Sequence, residues 1–110
     1  MSRMNALNAL ADPTRQRIVE MLASRELPMG EIASRFDMSA PAVSQHLKVL
    51  RDAKLVSVRA DAQKRLYSLN KDGFEEMEEW LGKIRRFWTK RLDALEKILR
   101  DEDKTAGRKK

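Results

Sequence analysis

A chain of 110 residues with 23 Lys and Arg against 17 Asp and Glu carries a net charge of +6, and 36% of it is charged. That length suits one hydrophobic core rather than two. The absence of cysteine excludes disulfides, thiolate nucleophiles and thiolate metal sites, and no apolar run approaches the roughly 18 residues of a membrane span. The start, MSRMNALNAL, lacks the apolar stretch and cleavage site of a signal peptide, so the cytoplasm is the expected compartment and no membrane partner is expected.

Met4, Leu7 and Leu10 recur at helical spacing and predict a short first helix. Asp12-Pro13 predicts the start of a second, because Asp can accept the free N–H groups of a first turn and Pro fits the first helical position. Ile18, Met21 and Leu22 share one face of that helix, which is expected to end near Ser24, and Leu27-Pro28 breaks the chain. A short third helix turns Ile32, Ala33 and Phe36 inward, and Asp37-Met38 makes a tight connection. Ser39 then caps a fourth helix over Ala40 to about Ala53, with Pro41 tolerated in its first turn.

The period changes after that. LVSVRA (55–60) and KRLYSL (64–69) are β-branched or aromatic runs that predict a hairpin, and the glycine-free Asp61-Ala62-Gln63 between them predicts a longer, looser loop than a type I′ turn. One long helix is expected from about Asp72 to Arg100. Residues 3–101 are expected to form the folded domain, and residues 102–110 a disordered basic tail.

Two short helices joined by a tight turn, the second capped by Ser and followed at once by a hairpin, have the shape of a winged helix-turn-helix. At 100° per residue, Val43, Leu47 and Leu50 fall within a sector of about 60° that points inward. The other side presents Pro41, Gln45, Lys48 and Asp52, flanked by Ala42, Ser44 and Val49, and the residues expected to meet DNA are Ser39, Pro41, Ala42, Ser44, Gln45, His46 and Lys48. Gln45 suits a base edge, adenine above all, Ser44 and Lys48 suit phosphates or bases, and small Ala42 permits close approach. His46 lies at the edge of the inward sector, as a packed or phosphate-contacting residue. Arg59, Lys64 and Arg65 flank the hairpin loop, where they would straddle phosphates or enter the adjacent minor groove. The basic excess sits there as well: residues 39–70 hold six cations against two acids, whereas residues 1–38 hold five of each.

The stretch LADPTRQRIVEMLASRELPMGEIASRFDMSAPAVSQHLKVLRDAKLV, with the YSL of the second strand, resembles the arsenic-repressor (ArsR) family of dimeric bacterial winged-helix regulators. The match covers about residues 5–70 and is most specific in SAPAVSQHLKVLRDAKLV. The resemblance implies operator DNA as ligand, the fourth helix as reader, the first and last helices as dimer interface, and repression by exclusion of RNA polymerase. Two departures bear on the effector. Metal sensors of the family carry Cys-x-Cys after a Glu-Leu pair, but Glu26-Leu27 is followed by Pro28-Met29-Gly30. Others use Asp and His on the last helix, but no histidine follows Asp72. The chain thus reads as a subgroup without the metal-sensing residues; no metal and no cofactor are expected, and the residues name no effector.

A helix of about 29 residues would span roughly 43 Å, beyond what a core of about 13 Å radius can cover. Yet its stripe includes Trp80, Ile84, Phe87, Trp88, Leu92 and Leu95. A two-fold homodimer through this helix and through Met4, Leu7 and Leu10 would cover it. The expected fold is therefore mainly α with a small β-hairpin, in the order helix, helix, helix, helix, hairpin, helix, as a two-fold homodimer. The expected function is a metal-independent repressor, possible autoregulation included, at an inverted-repeat operator. The competing class is a winged-helix protein-interaction module with no specific DNA site. Enzymatic activity is not expected: there is no Gly-rich phosphate loop, and neighbouring Ser44, Gln45 and His46 diverge by about 100° per residue with no acid partner.

Overall fold

The computed structural model describes the backbone of residues 2–108 and the side chains of residues 4–103. Its elements are α1 (Ser2–Ala9), α2 (Pro13–Leu22), β1 (Leu27–Pro28), α3 (Met29–Ala33), α4 (Ala40–Asp52), β2 (Val56–Asp61), β3 (Lys64–Leu69) and α5 (Lys71–Arg108). The winged helix-turn-helix is present, and the chain clusters into two compact units, one through Met77 and one from Glu78.

Local chemistry starts the helices where the sequence predicts. The Asp12 carboxylate accepts the Arg15 backbone N–H at 3.0 Å, with Pro13 opening α2. Ser39 Oγ accepts the Ala42 N–H at 3.2 Å at the start of α4. Asn70 Oδ1 accepts the Asp72 N–H at 3.0 Å at the start of α5.

The end of α4 is fixed by a Schellman motif. The Leu55 N–H reaches the Leu50 carbonyl at 3.0 Å and the Lys54 N–H reaches the Arg51 carbonyl at 2.9 Å, while Lys54 takes a φ of 62°. Lys stands there in a left-handed position that usually goes to Gly. Leu50 and Leu55 are both fully buried, which supplies the apolar contact such a cap favours.

The core of the first unit joins all four of its short helices to the sheet. Ile18 of α2, Ile32 of α3, Val43, Leu47 and Leu50 of α4, and Leu55 after it are its largest fully buried side chains. The inward face expected for α4 is thus the one observed. Leu7, Leu10, Ala33 and Phe36 are partly buried against this core, and Met77 closes it from α5.

Three features differ from the sequence expectation. Leu27-Pro28 is a strand as well as a break: it pairs antiparallel with β3, Leu27 opposite Tyr67, so the sheet has three strands in the order β1-β3-β2. Proline is tolerated on such an edge. The hairpin loop is short, with Asp61 opposite Lys64 and only Ala62 and Gln63 between them. Ala62 supplies the positive φ, 58°, that the expectation reserved for glycine. Finally, α5 runs on to Arg108, so residues 102–108 are helical where a disordered tail is expected. No proline interrupts Asp101 to Ala106 and the first glycine is Gly107, so nothing local stops the helix earlier. Lys109 and Lys110 lie outside the described residues.

In the second unit, α5 keeps its apolar stripe uncovered. Leu81, Phe87, Trp88, Leu92, Leu95, Ile98 and Leu99 are each between 48% and 58% exposed. Phe87 meets Trp88 edge-on with ring centroids 6.2 Å apart, and the Arg91 guanidinium lies 5.1 Å from the Phe87 centroid. Among the described residues no helix is long and apolar enough to cross a membrane.

Candidate nucleic-acid interface

The outward face of α4 is set by the burial of its inward one. With Val43, Leu47 and Leu50 fixed in the core, Ser39, Pro41, Ser44, Gln45 and Lys48 are exposed, and Ala42 and His46 are half-buried at the edges of that face. Five of the seven residues predicted for the reading face therefore share an accessible surface. The Ser39 hydroxyl already serves as the cap acceptor, which leaves it its O–H to donate. Short α3 precedes α4 by a six-residue connection.

The wing arranges its three cations less simply than the sequence implies. In the register of β2 and β3, Arg59 is opposite Leu66, Ala60 opposite Arg65 and Asp61 opposite Lys64. Side chains alternate along a strand, so Arg59 and Lys64 share one face and Arg65 stands on the other. Lys64 and Arg65 are exposed near the tip. Arg59 is engaged: its Nε and Nη2 donate to the Glu26 carboxylate at 2.9 and 2.8 Å. These two hydrogen bonds hold the Glu26 carboxyl below the usual glutamate range and the Arg59 guanidinium above its own. Arg59 and Glu26 lie 33 residues apart, and no local pattern announces the pair.

His46 also has partners that the sequence does not reveal. Its Nδ1 lies 3.1 Å from Arg15 Nη1 and 4.0 Å from Asp12 Oδ2. Arg15 donates through Nε to the Ala9 carbonyl at 2.6 Å and through Nη2 to the Asn8 carbonyl at 3.3 Å. The Asp12 carboxyl is held below the usual aspartate range, first by the Arg15 backbone N–H and further by the Arg15 charge, against some loss of solvation. Asp12 was legible as a cap; Arg15, three residues on, carries no signal of its own.

The residues expected at a dimer interface fall in both units. Met4 is exposed and Leu7 and Leu10 are half-buried in the first; Phe87, Trp88, Leu92 and Leu95 are exposed and Trp80 and Ile84 half-buried in the second. Among the described residues, no group of three or more His, Cys, Asp or Glu side chains is placed to hold a metal ion.

Residues 12–58, from the cap of α2 into β2, match the family model for bacterial regulatory proteins of the arsR family. Over 97 residues the chain is 43% identical to the HTH-type transcriptional regulator Rv2034 of Mycobacterium tuberculosis, covering 88% of each. The chain belongs to the arsR family. It is a DNA-binding transcriptional regulator and not an enzyme. The transcriptional repressor SdpR of Bacillus subtilis is 34% identical over 70% of this chain and 86% of its own. The fold agrees: an ArsR-like transcriptional regulator from Rhodococcus sp. RHA1 superposes with a TM-score of 0.74 at 25% identity, covering 88% of this arsR-family chain and 92% of the other.

Proposed function

We propose that this arsR-family regulator is a metal-independent homodimeric repressor that reads an inverted-repeat operator, its own promoter among the candidates, in the cytoplasm. The observation that carries the reading is the accessible polar face of α4, with Gln45 at its centre, beside a wing whose tip presents Lys64 and Arg65. Ser39, Pro41, Ala42, Ser44, Gln45, His46 and Lys48 are the proposed groove and phosphate contacts. Two reading helices about 34 Å apart on one face of a duplex would gain by linkage what one half-site lacks. Metal independence is supported by the donor set: the sequence has no cysteine, and its single histidine is His46. Repression is favoured by the relative SdpR, although the transcriptional activator HlyU of Vibrio cholerae, 40% identical over 71% of this chain and 72% of its own, shares the scaffold.

A mobility-shift titration against the DNA upstream of its own gene tests the reading. Retardation by micromolar protein at low salt is expected; unchanged migration would contradict it. Gln45→Ala is expected to relax sequence preference by roughly ten- to a hundredfold, whereas Arg65→Ala weakens every sequence alike and lowers the salt slope by about one. Arg59→Ala, which removes a cation already paired with Glu26, is expected to lower that slope less.

A further inference from the structure

Three elements of the first unit converge on one side chain. The Arg15 guanidinium, carried by α2, donates to the Asn8 and Ala9 carbonyls in the last turn of α1 and reaches His46 Nδ1 in the middle of α4. A cation at the C-terminal end of α1 is well placed for those unpaired carbonyls. The contact with α4 decides a chemical detail. A guanidinium has N–H donors and no acceptor, so a hydrogen bond across this 3.1 Å contact requires His46 Nδ1 as the acceptor and the ring proton on Nε2. Asp12 Oδ2, 4.0 Å from Nδ1, is beyond hydrogen-bond reach and would pair only with a protonated ring. His46 keeps 23% of its side chain accessible, between the exposed Gln45 and the core.

We infer that Arg15 is a positioning residue for DNA reading: it holds His46 as the Nε2–H tautomer, presenting one outward donor to a phosphate oxygen, and it pins α4 to the end of α1. Arg15 acts here through His46 and α1, since Nε, Nη1 and Nη2 each spend an N–H on a partner within the protein. This rests on the proposed role of α4 as reader. It differs from a plain structural role, which would change melting without changing the discrimination between sequences. It differs equally from a direct phosphate contact, which would be lost together with a unit of salt dependence.

The experiment has two arms. His46 is the only histidine, so long-range nitrogen–proton NMR of the free protein reports its tautomer without ambiguity. The wild type is expected to show Nε2–H, and Arg15→Met, which keeps a stem but has no donor, to show a mixture of tautomers. In the second arm, affinity is measured for the duplex that the wild type enriches from a random-sequence pool and for an unselected random duplex. Arg15→Met is expected to lose tenfold or more on the first, to stay within about twofold on the second, and to keep the salt slope. His46→Asn, whose side-chain oxygen can still accept from Arg15, serves should Arg15→Met not fold: it is expected to melt like the wild type and to bind the enriched duplex severalfold more weakly. A wild-type Nδ1–H tautomer, equal losses on both duplexes with a slope smaller by about one, or unchanged binding by His46→Asn would each overturn the proposal. A wild type that enriches nothing would instead overturn the reading of α4 on which it stands, and the proposal with it.

Discussion

Gly73→Ala is expected to cost this fold about 3 kcal/mol. In the first turns of α5 a methyl group at that position would sit 1.9 Å from the Lys54 carbonyl oxygen and 2.7 Å from its carbon. The obstacle is backbone and cannot swing aside. Lys54 is held at a φ of 62° by the cap that ends α4, and the next carbonyl, that of Leu55, accepts the Asn70 N–H at 2.8 Å. The close approach thus joins the end of α4 to the start of α5. Helix propensity alone would make alanine better than glycine by about 1 kcal/mol, so the sign of the effect separates the two causes. Gly82→Ala, nine residues along the same helix, is the control. Its methyl would meet only the flexible Arg86 side chain, at 3.3 Å, and a gain of up to about 1 kcal/mol is expected. Denaturant unfolding should show a lower midpoint at constant slope for Gly73→Ala. A Gly73→Ala protein as stable as the wild type would contradict the close approach.

The second large effect is expected at the uncovered face of α5. Leu92 is 58% exposed and Trp88 51%, in a stripe that continues through Leu95 to Leu99. Contiguous apolar surface of this kind marks an interface, and a second copy of the chain is the occupant the proposed function requires. Leu92→Glu should then convert a species of about twice 12.7 kDa into one of 12.7 kDa in sedimentation at tens of micromolar. Because the two half-sites would no longer be linked, operator affinity should fall roughly a hundredfold or more. Lys97→Glu, on the polar face, should leave both measurements unchanged. A wild type that sediments as the monomer at those concentrations would contradict the dimer.

What was legible in the sequence is what local chemistry writes there. Asp12 and Ser39 mark helix starts because a cap is a contact over three residues, and Val43, Leu47 and Leu50 announce the inward face of α4 because helical burial has a period. The Arg59 pair with Glu26 and the Arg15 contact with His46, 33 and 31 residues apart, were not legible, since they exist only once the sheet and helices have assembled. β1 escaped because two residues, one of them proline, show no alternation. The short hairpin loop escaped because Ala62 takes a conformation that sequence reasoning grants to glycine. The difference matters for function: of the three wing cations that look equivalent along the chain, one is already paired and the other two stand on opposite faces.

Sequencing the duplexes that the wild-type protein enriches from a random pool tests the central claim most directly, because it asks α4 and the dimer for one answer. Two copies of α4 related by a two-fold axis should enrich an imperfect inverted repeat whose half-sites are centred about 10 base pairs apart, with Gln45→Ala relaxing the same positions in both halves. A pool that stays random, or that converges on a lone half-site, would contradict a dimeric regulator that reads DNA through α4.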